Sequence, residues 1–257
     1  MMRLILVLAV YLLAATGAKV AIAEEITIAA ASDLNFAFRE IVTEYEHTTG
    51  NHVRLVFGSS GNFYAQIQQG APFDLYFSAD IGYPKKLIDE GLAMPNSLYQ
   101  YATGRIVLWV PKESSLAVTK GMDALLDPAI KKIAIANPKH APYGRAAVAA
   151  MEHFKVYDTV KDRLVLGENV SQAAQFVESG AADIGIIALS LALAPAMSTK
   201  GTYWEIPTET HPPLEQGAVI VKASKRADSA KQFLEFVKSR QGVAIMTRYG
   251  FVAPESR

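Results

Sequence analysis

The sequence predicts an α/β protein of two lobes, each an open sheet with helices on both faces. Three observations predict it. Short apolar runs alternate with segments of helical periodicity from residue 26 to residue 91, and the alternation restarts at residue 132. Two further apolar strands, at 104–111 and 216–221, stand at matching places with no helix before them. They imply two chain crossings between two α/β lobes, with the C-terminal segment returning to the first. That topology puts a cleft between the lobes and a hinge at the crossings. The expected bounds are 24–110 plus 214–257 for lobe I and 111–213 for lobe II.

Residues 1–23 read as a removable export signal. Arg3 supplies a positive start, an apolar run spans 4–15, and Ala21-Ile22-Ala23 is a small-x-small cleavage pattern before Glu24. The run is too short for a comfortable membrane-spanning helix, and Lys19 interrupts its continuation. Removing the signal leaves 234 residues with 23 basic and 25 acidic side chains, a balance that excludes a nucleic-acid binder by charge. The chain has no cysteine, hence neither a disulfide framework nor a lipidated N-terminal Cys. An export signal without an anchor points to a bacterial periplasm.

In chain order, the strand at 26–31 runs into Ser32 and Asp33. Leu34, Ala37, Phe38, Ile41, Val42 and Tyr45 then recur at helical spacing, with Gly50 closing the helix. Ser32 and Asp33 therefore sit at a strand-to-helix junction, where either can cap the helix. The alternating run 52–57 leads through Gly58-Ser59-Ser60-Gly61-Asn62 into a helix at 63–69. The two glycines offer positive φ and close approach, and the serines offer hydroxyl and N–H groups at a helix N-terminus. Taken alone, this is a cradle for an anion or simply a capped turn. A buried strand at 74–79 and a helix stopped by Gly91 complete the first set.

The second set comprises a strand at 132–136, a loop at 137–143, a helix at 144–154, a strand at 163–167, a helix at 171–179 and a strand at 182–187. Two helices, 227–238 and 241–249, close the chain. Ligands of open α/β sheets sit beyond the carboxyl ends of the strands, where helix N-termini converge. Four loops meet that description: Ser32-Asp33, residues 58–62, residues 138–144 and residues 168–171. None carries a P-loop or a GxGxxG fingerprint, so nucleotide binding has no support. The implied ligand is a small anion held by neutral donors. A hydrogen bond to a charged partner contributes about 1.5–3 kcal/mol, and micromolar binding needs about 8 kcal/mol. Three to five donors shared between two lobes are enough. Arg145, one residue past Gly144, reads as a solvated first-turn side chain.

Ala29-Ala30-Ala31-Ser32, Phe57-Gly58-Ser59-Ser60, Gly70-Ala71-Pro72-Phe73-Asp74-Leu75, Ser78-Ala79-Asp80, Pro138-Lys139-His140-Ala141-Pro142-Tyr143-Gly144 and Arg248-Tyr249-Gly250-Phe251 occur in this order. Together they resemble the periplasmic molybdate-binding proteins of ABC importers, over residues 26–251. The resemblance implies a type II periplasmic-binding-protein fold that closes on molybdate or tungstate and docks on a membrane permease. It implies a monomer with no cofactor, in which molybdenum is bound only as the oxyanion. The implied donors are the hydroxyl and N–H of Ser32 and Ser60 and the N–H groups of Tyr143 and Val170, with the Asp33 N–H a fifth. The chain departs from the family pattern at Ala188, where some members place a tyrosine hydroxyl on the ligand; the Asp33 N–H or Tyr143 is then left to compensate.

Asp33 bears on which anion is held. A carboxylate facing a fully deprotonated dianion repels it, whereas one facing hydrogenphosphate accepts its proton, so sulfate and phosphate are the competing ligands. On the molybdate reading, the Asp33 side chain points away as a cap. A hydrolase with Ser60 as nucleophile is the competing class. No histidine stands in an activating pattern near Ser60, and His47, His52, His140, His153 and His211 read as surface or loop residues.

Overall fold

The computed structural model describes residues 25–254; the expected signal peptide lies outside them. Three parallel strands, β1 (Glu25–Ala31), β2 (His52–Gly58) and β3 (Leu75–Ser78), form the heart of the first sheet. Their connections are α1 (Asn35–Thr49) and α2 (Ser60–Gln68), and α3 (Gly82–Asp89) follows β3. Along β1 the side chains alternate between two apolar layers, Ile26, Ile28 and Ala30 facing one and Ala29 the other. Both faces are therefore covered, as the unbroken apolar run of a parallel strand requires. Phe38 of α1 meets Phe77 of β3 edge-on at 4.7 Å within one layer, and Phe63 and Leu87 pack in the other. Gly50 ends α1 in the left-handed conformation, with φ of 72°.

The chain then adds β4 (Tyr99–Gly104) to the first sheet and, one residue later, β5 (Ile106–Pro111) to the second. The second lobe continues with β6 (Ile133–Ala136), α4 (Pro142–His153), α5 (Tyr157–Val160), β7 (Leu164–Gly167), α6 (Val170–Glu178) and β8 (Ile184–Ala188). Two short helices follow, α7 (Leu189–Ala192) and α8 (Pro195–Ser198), then β9 (Gly201–Glu205). Residues 206–213 carry the chain back to β10 (Leu214–Ile220), α9 (Ala227–Lys238) and α10 (Arg240–Arg248) on the first lobe.

The strand orders are β2-β1-β3-β10-β4 and β7-β6-β8-β5-β9. Each sheet has three parallel strands, then one strand antiparallel to both of its neighbours: β10 in the first, β5 in the second. These are the two strands that the sequence shows without a preceding helix. Beyond them, β4 forms the edge of the first sheet and β9 the edge of the second. The first crossing falls at Arg105, so residues 106–110 belong to the second sheet and not, as expected, to lobe I. The physical reason is the pairing of Val107 and Leu108 with Ile187 and Ile186 on one side and Glu205 and Trp204 on the other. Arg105 ties the crossings together, donating to Glu205 at 2.7 Å and to the Gly250 carbonyl.

Candidate ligand-binding site

Four junctions converge between the lobes. A 3-10 turn, Ser32–Leu34, follows β1; α2 follows β2, α4 follows β6 and α6 follows β7. They surround a small cavity, whose wall includes Ser32, Asp33, Ser60, Tyr143 and Val170. The structure thus brings all five predicted site residues to one cavity. At about 10 Å³ it is far smaller than the ~300–1,000 Å³ of drug-sized ligand pockets, which excludes all but a compact solute. Among the described residues no lysine or arginine lines it, and Asp33 is the one carboxyl on its wall.

Backbone donors come from helix starts. The first N–H groups of α2, α4 and α6 have no carbonyl one turn back to bond, and the helix dipoles place partial positive charge at the same ends. α2 begins at Ser60, earlier than the periodicity indicates, because Ser59 is extended (φ −84°, ψ 142°) and already serves as the cap position. Asn169 caps α6 by accepting from Gln172 N at 3.0 Å, leaving Val170 as the first helical residue.

The serine hydroxyls are not caps. Ser60 Oγ accepts from Ala79 N at 3.0 Å in the core, and Ser32 Oγ accepts from Ser171 N at 3.3 Å across the cleft. Each hydroxyl therefore has an acceptor lone pair occupied and its proton free for a ligand. Ser59 spends its hydroxyl on His140, lying 2.8 Å from both its Nδ1 and its carbonyl oxygen. His140 is a loop residue, as expected, and that contact makes it join the lobes, with Glu168 3.6 Å from its Nε2. His211 is likewise in a loop, but buried. His47, His52 and His153 are exposed.

Neither Gly58 nor Gly61 has positive φ, contrary to expectation. Both serve close approach. A Cβ on Gly61 would lie 2.7 Å from the His140 carbonyl and 2.9 Å from the Tyr83 hydroxyl, and one on Gly58 would meet the Phe63 ring at 2.8 Å. Gly61 N donates to that His140 carbonyl at 2.9 Å, another bond between the lobes.

Asp33 does not cap α1 and does not point away to solvent. Its side chain is 1% exposed, and Oδ2 accepts from Tyr143 Oη at 3.0 Å and Gln216 Nε2 at 2.7 Å. Oδ1 has no protein donor among the described residues. Burial raises its pKa to about 6, with the hydrogen bonds from Gln216 and Tyr143 opposing the rise. The cluster bridges the lobes just behind the cavity, next to Gly104 at the first crossing, where a Cβ would collide with the Tyr143 hydroxyl. Because that hydroxyl donates to Asp33, it is not free to replace a tyrosine missing at Ala188. Ala188 is buried at the end of β8 and does not line the cavity. Ser190, two residues on, donates to the Asp33 carbonyl at 2.7 Å. Arg145, expected in solvent, instead pairs with Asp80 at 2.6 Å across the cleft mouth and lies over the Tyr83 ring.

The chain matches the bacterial extracellular solute-binding proteins over residues 26–252. It is 38% identical over 232 residues to the molybdate-binding protein ModA of Rhodobacter capsulatus, covering 90% of each chain. It is 35% identical to ModA of Azotobacter vinelandii over 229 residues, covering 89% of this chain and 90% of that one. The solved structure of the Azotobacter vinelandii periplasmic molybdate-binding protein superposes with a TM-score of 0.85, covering 90% of this chain and all of that one. The sulfate-binding protein SubI of Mycobacterium tuberculosis, at 16% identity and a TM-score of 0.72, shares the two-lobed fold. The chain belongs to the bacterial extracellular solute-binding protein family.

Proposed function

We propose that this protein captures molybdate, and tungstate with it, in the cavity between its lobes and delivers the anion to the permease of an ABC importer. The observation that carries the reading is a small cavity walled by helix N-termini and serine hydroxyls, without a cationic side chain, in a chain 35–38% identical to molybdate-binding relatives. Ser32 and Ser60 donate from hydroxyl and backbone, Tyr143 and Val170 from backbone, and Asp33 N–H completes the set. These groups hydrogen-bond to the oxygens of the anion; none ligates the metal. The protein works in the periplasm as a monomer without a cofactor, after removal of residues 1–23.

Transport follows from differential affinity. The anion touches both lobes only when the cleft is shut, so it favours the closed form that the permease recognises. The carrier reading is supported over the hydrolase by the relatives, which are solute-binding proteins. Calorimetry of the protein from residue 24 against molybdate, tungstate, sulfate and phosphate tests the reading. Molybdate and tungstate are expected to bind at micromolar concentration or tighter, with sulfate and phosphate much weaker. Phosphate or sulfate competing on equal terms overturns the assignment of the ligand.

A further inference from the structure

A buried carboxyl on the wall of an anion site is a conflict of charge that the closed lobes must resolve. Asp33 lines the cavity, and its two oxygens are in different situations. Oδ2 is saturated by two donors, Tyr143 from α4 and Gln216 from β10. Oδ1 is equally buried and has no donor among the described residues. An ionised carboxylate so placed leaves Oδ1 without a full hydrogen bond, with only the nearby Asp33 and Leu34 N–H groups favouring its charge, and stands on the wall beside a dianion. A protonated one has neither fault, since an Oδ1–H is a donor and the oxyanion brings acceptors.

We propose that the Asp33 side chain is itself a ligand-binding group, protonated in the anion complex and donating from Oδ1 to an oxyanion oxygen, so that binding takes up one proton. This rests on the oxyanion reading above. It also names a selectivity element: a donor at this position favours a fully deprotonated oxyanion and disfavours hydrogenphosphate, whose own proton would meet it.

The surroundings support the assignment. The ionisable groups facing Asp33 are the hydroxyls of Tyr143 on α4 and Tyr101 on β4, both held far above the usual tyrosine range by burial and hence neutral. β10 presents Gln216, α7 presents Ser190, and α6 presents Val170 and Ser171; β2 reaches the cavity only through Gly58. No cationic group among the described residues lines the cavity to hold the carboxylate ionised. Burial, opposed by the hydrogen bonds from Gln216, Tyr143 and the Asp33 and Leu34 backbone, leaves the carboxyl raised to about 6, and a neighbouring dianion raises it further.

Proton linkage gives the test. Native protein is titrated with sodium molybdate at pH 7.5 in several buffers that differ in ionisation enthalpy but contain no phosphate. The observed enthalpies should report an uptake of about one proton per anion, and affinity should fall about tenfold per pH unit above the ligand-free pKa of Asp33. Asp33→Asn keeps one oxygen for Tyr143 and Gln216 and supplies an N–H in place of the O–H. It should bind molybdate with no proton uptake, with an affinity flat from pH 6 to 8, and more tightly than native protein at pH 8. Molybdate binding to native protein without proton uptake, or an equally pH-dependent Asp33→Asn, overturns this inference and leaves the functional reading standing. No binding of molybdate by native protein overturns both. The proton count needs no variant, so misfolding of Asp33→Asn does not shelter the idea.

Discussion

Replacing Ser60 by alanine tests the site most directly, because it removes two separable interactions. The first is the free hydroxyl proton. Ser60 Oγ already accepts from Ala79 N, so its O–H remains available to a ligand in the cavity it lines, and a hydrogen bond to a charged partner contributes about 1.5–3 kcal/mol. At 1.4 kcal/mol per decade, molybdate affinity should fall about ten- to a hundredfold. The second loss is structural: Ala79 N–H, in a residue 1% exposed, is left without an acceptor at a cost of about 1–3 kcal/mol. Calorimetry reads the first and a thermal melt without ligand reads the second. The helix start survives, since Ser60 N–H and the Tyr76 hydroxyl bond to the Ser60 carbonyl do not depend on the side chain. A variant that melts lower but binds molybdate with native affinity would refute the placement of the anion against Ser60.

Ser32→Ala should weaken binding by a similar ten- to hundredfold, from the same hydrogen-bond scale; because Ser32 Oγ also receives Ser171 N, the loss should appear partly as a more open cleft in solution scattering. Gly61→Ala should impair closure more than folding: the added methyl meets the His140 carbonyl of the facing lobe, and on its own lobe only the end of the Tyr83 side chain, so molybdate affinity should drop well beyond any fall in melting temperature. Ligand-free stability should decline with rising pH through the range set by Asp33. Its folded pKa of about 6 exceeds the ordinary 3.8, so the native state binds more protons between these values; the contribution is present below about 4 and lost above about 6. At 1.36 kcal/mol per pH unit the loss is about 3 kcal/mol, and denaturant titrations of native protein and Asp33→Asn at pH 4 and pH 7 should differ by an amount of that order.

The parallel cores of both lobes are legible in the sequence because parallel strands are buried on both faces and read as continuous apolar runs, such as Ile26 to Ala31 and Ile133 to Ala136. β4 and β9 are not legible. They are edge strands of mixed composition, Tyr-Gln-Tyr-Ala-Thr-Gly and Gly-Thr-Tyr-Trp-Glu, with no period that marks them. With β4 unmarked, the apolar run after it reads as the end of lobe I, and the crossing is expected at residue 110 instead of Arg105. In the site, Ser32, Ser60, Tyr143 and Val170 are legible as positions because each stands at a strand-to-helix junction. Their partners are not. His140 lies 81 residues from Ser59, and Asp33 lies 110 and 183 residues from Tyr143 and Gln216, separations that no local pattern reports. Side-chain roles are the least legible: a serine and an aspartate before a helix look like caps, and only the facing lobe shows that Ser59 and Asp33 bond elsewhere.

The same long-range pairs explain how a neutral site can drive closure. The bonds that span the cleft are polar, among them Gly61 N to the His140 carbonyl, Ser59 to His140, Ser171 to Ser32, Ser190 to the Asp33 carbonyl, Tyr143 to Asp33, Gln216 to Tyr143, and the half-exposed Arg145–Asp80 pair. Opening exchanges each for water, so each contributes about 0.5–1.5 kcal/mol net, and a half-exposed ion pair less. Such contacts set the geometry of the closed form without locking it, because the helix ends around the cavity still need an acceptor between them. On the proposed reading, an anion shared between Ser32 and Ser60 on one side and Tyr143 and Val170 on the other contributes more than any of them. The closing equilibrium is then governed by occupancy, and substitutions at the rim should change how readily the lobes meet while substitutions of the four donors change what they hold.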